Sequence, residues 1–162
     1  MSTDINTNAC LSFRIGSETF ATSVNHAHEI LELTKITKIP HAPVFMKGVT
    51  NLRGTVLPVI DTRIKFGFPA TAATDDSCII VLNIEANNRN IVIGALVDSV
   101  TEVFDVLPGD IKPLPTIGAR YNAGFIKGTI KSGDDFILFL DIDKVFSTEE
   151  MIQIQHAECS VD

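Results

Sequence analysis

Few residues in this chain are grouped in a way that could do chemistry, and those that are point to recognition. Asn51-Leu52-Arg53-Gly54 sets an arginine beside a glycine between two apolar runs. Glycine relieves the backbone where a tight turn needs positive φ, and an asparagine side chain can bond back across such a turn. Arg53 is therefore expected at or near a hairpin tip. There its planar, five-donor guanidinium suits a carboxylate, or the carbonyl end of a helix, on another molecule. His26-Ala27-His28 invites a metal. Its two imidazoles share a face on a strand and diverge on a helix. Zinc needs three or four ligands, and Glu29 and His41 supply no clear third. Gly124 and Gly128 bracket Phe-Ile-Lys but lack the Lys-Ser/Thr ending of a phosphate loop. Asp75-Asp76 sits in a polar stretch where solvation is the ordinary state. No nucleophile elbow or H-E-x-x-H is present, and a nucleophile needs a base within hydrogen-bond reach. The expectation is a binding protein with no catalytic residue, no metal and no cofactor.

The elements that must position Arg53 are short. The 162 residues suit one compact domain or two small lobes, and 45% apolar content is enough for a real core. A net charge of −7 argues against nucleic acid, which needs clustered Lys and Arg. Cys10, Cys78 and Cys159 are scattered and follow a polar start without signal-peptide features, as expected of reduced thiols in a soluble cytoplasmic protein. Alternating Leu11, Phe13 and Ile15 predict a strand, and Gly16-Ser17-Glu18 a hairpin turn into a second over Phe20–Val24. Asn25 is placed to cap a short helix through His28–Leu31. Strands are expected either side of Arg53-Gly54, then at 78–84, 91–97, 102–106, 125–131 and 136–141, with a helix from Asp143 onward. Residues 67–76 are small, polar and Pro-containing, the one convincing internal linker. The expected organisation is a flexible start over 1–9, a domain over 10–152 and a tail over 153–162.

Two stretches half a chain apart repeat one another. Phe45-Met46-Lys47-Gly48 leads through a Gly-containing turn to Leu57-Pro58-Val59-Ile60-Asp61, and Phe125-Ile126-Lys127-Gly128 leads likewise to Ile137-Leu138-Phe139-Leu140-Asp141. Upstream, Val24 through Glu29-Ile30-Leu31-Glu32-Leu33 matches Val97 through Glu102-Val103-Phe104-Asp105-Val106. This is the mark of a duplicated small barrel. One copy of about 60 residues buries too little surface to stand alone, so the lobes should pack together, with strand exchange between them plausible. The equivalent Asp61 and Asp141 should share a structural role, such as capping a turn.

The run from Phe45 to Arg63, with Gly94-Ala95-Leu96-Val97-Asp98-Ser99-Val100 and Leu138-Phe139-Leu140-Asp141-Ile142-Asp143-Lys144, resembles the CheW-like family of chemotaxis coupling proteins. The likeness extends from about Leu11 to Met151. It implies an all-β fold of two SH3-like five-stranded barrels with short connecting helices and a C-terminal helix. It also implies a scaffold joining a CheA-type histidine kinase, through a regulatory domain that is itself CheW-like, to the cytoplasmic tips of methyl-accepting chemoreceptors. By resemblance Arg53, Glu29, Val24, Ala27 and Gly94 belong to the receptor side, and Ile36 and Gly48 to the kinase side. The alternative is a small-ligand or metal sensor using the groove between lobes and His26/His28.

Overall fold

The computed structural model describes residues 8–86, 88–113 and 124–159. Strands dominate. β1 (Asn8–Ile15) and β2 (Glu18–Ser23) form the first hairpin, turning at Gly16 with φ of 63°. β3 (Ala27–Glu32), β4 (Met46–Leu52) and β5 (Thr55–Asp61) complete the first half of the chain, followed by the one-turn helix α1 (Thr62–Lys65). β6 (Cys78–Ala86), β7 (Arg89–Val97), β8 (Ser99–Val106), β9 (Ile111–Lys112), β10 (Ile126–Ser132) and β11 (Asp135–Leu140) make up the second. A closing helix, α2, spans Thr148–Cys159.

These strands make two sheets, ordered β3-β6-β7-β5-β4 and β8-β1-β2-β11-β10-β9. Each sheet thus takes one hairpin from the other half of the chain. β6–β7 joins the strands around Arg53, and β1–β2 joins those of the second repeat. Both hairpins enter through a short parallel pairing, Val59 with Gly94 and Phe139 with Ala21. Residues 67–76, between the halves, hold neither helix nor strand.

Alternation along the strands explains the core. From β6, Ile79 and Val81 point into the first barrel with Leu57, Val59 and Leu96. Ile80, Leu82 and Ile84 point the other way, into a larger core shared with Phe13, Ile60, Ala95, Leu138 and Leu140. A strand buried on both faces reads as an unbroken apolar run, as 78–84 does. The second barrel encloses Cys10, Ala21, Val106, Ile130, Ile137 and Phe139.

The repeat is visible in the joints between lobes. Phe45 packs at a tilt on Phe146 at 5.6 Å and Phe66 stacks on Phe125 at 5.0 Å, so equivalent phenylalanines cross-pair between the halves. The Asp61 N–H donates to the Phe45 carbonyl (2.8 Å), and the Asp141 N–H to that of Phe125 (2.6 Å). The role these aspartates share is thus in the backbone. Only Asp61 also caps, accepting from the Arg63 N–H at 3.0 Å. Arg63 forks onto Asp98 (2.6 and 3.0 Å), which also accepts from the Gly16 N–H (2.8 Å), tying α1 to two turns.

Two expectations are corrected. The short helix through His28–Leu31 is instead β3, with half-buried and exposed residues alternating. A four-residue helix would leave most of its N–H groups unpaired, whereas β6 offers a full ladder. The expected tail over 153–162 is helical through Cys159, because Met151, Ile154 and Ala157 recur at helical spacing and close the shared core. Lys65, lodged against the Phe45 and Phe146 rings, bonds both Glu150 oxygens (3.1 and 3.2 Å) and pins the start of α2. Of the expected flexible start over 1–9, residues 1–7 lie outside the described residues, and Asn8 and Ala9 already belong to β1.

Candidate docking site

Arg53 and Gly54 form the two-residue turn between β4 and β5, both with positive φ, 49° and 86°. Such a turn matches the twist of the strands it joins. The Asn51 carboxamide oxygen accepts from the Gly54 N–H at 2.7 Å, which latches the turn. From it the Arg53 guanidinium reaches across to β3, where Nη2 and Nη1 donate to the two Glu29 carboxylate oxygens at 2.5 and 3.1 Å. The Arg53 side chain is 69% exposed, that of Glu29 32%. The hydrogen bond from Arg53 holds the Glu29 carboxyl below its ordinary pKa, and the same bond raises that of Arg53. The result is a fork of opposite charges, oriented and open to solvent.

The other expected site residues fall in three places. Glu29, Val81, Gly94, Val59 and Gly48 lie in one register row, one residue per strand across the whole first sheet. Gly94 sits inside that barrel, where a Cβ would stand 2.6 Å from Ile79 Cγ2 and 3.1 Å from Leu57 Cδ2. Gly48 is also buried, and a Cβ there would collide with the Thr37 carbonyl oxygen and lie 2.9 Å from Ile36 Cγ2. Ile36 and Gly48 are therefore neighbours. Val24 and Ala27 face elsewhere: a bulge between Ala27 and Glu29 turns Ala27 toward the shared core, against which Val24 also packs. Arg53 and Glu29 meet; Ala27, on β3, and Val24, in the turn before it, pack toward the shared core instead.

The His26 Nδ1 lies 3.1 Å from the Asn83 carbonyl oxygen and 4.0 Å from Asp143, while His28 is exposed on β3. Among the described residues no three His, Cys, Asp or Glu side chains gather to hold a metal ion. The apolar void between the lobes, lined by Phe13, Ile60, Leu82, Leu140 and Phe146, is no larger than a water molecule. Nothing in it favours a small ligand. No described helix is long and apolar enough to cross a membrane.

The family model of the CheW-like domain matches residues 9–150. The chain belongs to the CheW-like family. Its CheW-like sequence is 34% identical over 140 residues to the chemotaxis protein CheW of Rhizobium meliloti, covering 86% of this chain and 88% of that one. It is 32% identical over 146 residues to the chemotaxis protein CheW of Klebsiella aerogenes, covering 90% and 86%. Among solved structures, the scaffolding protein TtCheW of Thermoanaerobacter tengcongensis superposes with a TM-score of 0.74 at 28% identity, covering 88% of this chain and 94% of that one. The CheW-like fold accounts for the two barrels, and chemotaxis scaffolding is the function that goes with it.

Rough alternation over residues 35–39, stopped by Pro40, marks an extended segment in the sequence, but not what it pairs with. Residues 35–37 lie along β4: Thr37 and Val49 exchange backbone bonds of 2.8 Å each, and the Thr50 hydroxyl donates to the Lys35 carbonyl at 2.8 Å. The signal available was the repeat itself. Gly128 stands under β9 as Gly48 stands under this segment, and its Cβ would meet the Lys112 carbonyl and Ile111 Cγ2.

Proposed function

We propose that this chain is a chemotaxis adaptor that couples a CheA-type histidine kinase to methyl-accepting chemoreceptors in the cytoplasm, binding both and catalysing nothing. The single observation that carries the receptor half is the display of Arg53. A left-handed turn, the Asn51 latch and the Glu29 fork hold its guanidinium in one place at little further entropic cost on binding. Arg53 and Glu29 engage the receptor tip, with Val24 and Ala27 supporting β3 from the shared core and Gly94 allowing the strands beneath to pack closely. The kinase half rests on Ile36 and Gly48, neighbours where residues 35–37 lie along β4. Barrel packs on barrel, because the kinase's regulatory domain is of the same kind. An adaptor of this sort contributes by raising the concentration of kinase at the receptors.

Arg53→Glu puts like charge against Glu29 and removes the donor fork. It is expected to weaken binding to a receptor tip fragment at least tenfold in calorimetric titration, about 1.4 kcal/mol of binding free energy by definition, with the unfolding midpoint nearly unchanged. Unchanged affinity would take Arg53 out of the site. A pull-down with both fragments tests the adaptor role as a whole.

A further inference from the structure

We propose that the second barrel carries an arginine socket, built on Glu102 and Phe104, that takes an arginine from an extended segment of a partner protein. The first barrel shows what such a socket holds, since Glu29 there receives Arg53 from the chain's own hairpin. Glu102 has the same place in the second barrel, at the β8 end of the row Glu102, Ser12, Ala21, Phe139 and Gly128. Its hairpin offers no cation in return. Ser132 and Gly133 stand where the first barrel has Leu52 and Arg53. Gly133 keeps the same left-handed backbone, with φ of 60° against 49° at Arg53, but brings no side chain.

The result is a groove of about 600 Å³ between β8 and β9, the open edges of the second sheet. Glu102, Phe104 and Asp105 line one bank; Lys112, Lys131 and Ser132 line the other. None of the residues proposed above for receptor or kinase lines it. Among the described residues, Glu102, Asp105, Lys112 and Lys131 take part in no ion pair. A segment laid along β8 can bond its backbone to the free edge, as a strand added to a sheet. Its charges are set by the two banks. Arginine suits the acidic bank better than lysine, because its planar fork takes both oxygens of a carboxylate and its flat face stacks on an aromatic ring. Phe104, which packs against the core of this barrel, supplies that ring where the first barrel has Leu31. A carboxylate beside the arginine answers the lysines on the opposite bank.

The probe is the peptide acetyl-Thr-Val-Arg-Glu-Val-Thr-amide, titrated into the intact chain and followed by amide chemical shifts. It should move the Glu102, Phe104 and Lys131 signals saturably, and the version with lysine for arginine should bind severalfold more weakly. Glu102→Gln, an exposed and conservative change, should abolish those shifts. Gly133→Arg should abolish them too, by filling the socket from the chain's own hairpin; a Cβ at that turn meets nothing within 4 Å. Arg53→Glu should bind the peptide as the parent does. Equal binding by the parent and Glu102→Gln, no preference for arginine over lysine, or no saturable shift at millimolar peptide each overturns the proposal. Tighter binding by Arg120→Gln overturns it as well, because the chain's own arginine would then be the occupant.

Discussion

Arg53 matters less for its charge than for its backbone. A non-glycine residue at φ of 49° is uncommon, and here it is matched by Gly54 at 86° in the next position. Gly54→Ala would place a Cβ in open space, yet on a backbone that side chains avoid. It should cost roughly 1 kcal/mol in chemical denaturation and blur the direction in which Arg53 points, so that receptor affinity falls while the guanidinium remains. Gly48 is constrained differently, by collision and not by exposure. Gly48→Asp should lose kinase-fragment binding and also destabilise the chain by about 1–3 kcal/mol; a variant that still co-elutes with the kinase domain at full stability would contradict both. Both glycines could be singled out in the sequence, one in the turn motif and one in the repeat. Which of them was a surface residue could not, because burial is decided by the strand that lies across it.

At the scale of elements, the joint formed by α1 and the turns before β2 and β8 sets how the halves meet. Partial burial pushes the Asp98 carboxyl up, but the Arg63 fork, the Gly16 N–H and the Arg63 and Arg14 charges pull harder, and its pKa lies below the ordinary 3.8. A carboxyl more acidic in the folded than in the unfolded chain stabilises the fold above its unfolded pKa, and that stability fades as pH falls through the folded value. Unfolding free energy should therefore drop below about pH 4. Asp98→Asn should lose about 1–3 kcal/mol at neutral pH and show a flatter acid limb in urea titrations at several pH values. An acid limb identical to that of the parent would show that the joint contributes nothing. The β3 segment belongs to this scale too. Its His-Glu-Ile-Leu content and preceding Asn25 are compatible with a helix, and only the free edge of β6 makes the extended form win.

The whole molecule behaves as one folding unit, since each sheet borrows a hairpin from the other half and both lean on the same core. Met151 and Ile154, on α2, are fully buried in that core. Met151→Ala should cost about 2–5 kcal/mol and shift a single calorimetric transition, with no separate melting of either barrel. Two resolved transitions would mean that the lobes are independent. The same exchange of hairpins explains why one half of the chain expressed by itself should not fold: its own sheet would lack the hairpin that the other half supplies.

The order of apolar and polar residues, the turn chemistry around Gly16, Arg53-Gly54 and Gly133, and the duplication were enough to determine an all-β, two-lobed chain, its strand positions other than β3 and β9, and Arg53 at a hairpin tip. Those are local properties, set by period and backbone allowance within a few residues. Tertiary structure alone decided that Glu29 is the partner of Arg53, that Gly48 and Gly94 are buried, that Ala27 turns to the opposite face from Glu29, and that the C-terminal residues complete the core. Each depends on register between strands far apart in the chain, where a one-residue bulge moves a side chain from one face to the other.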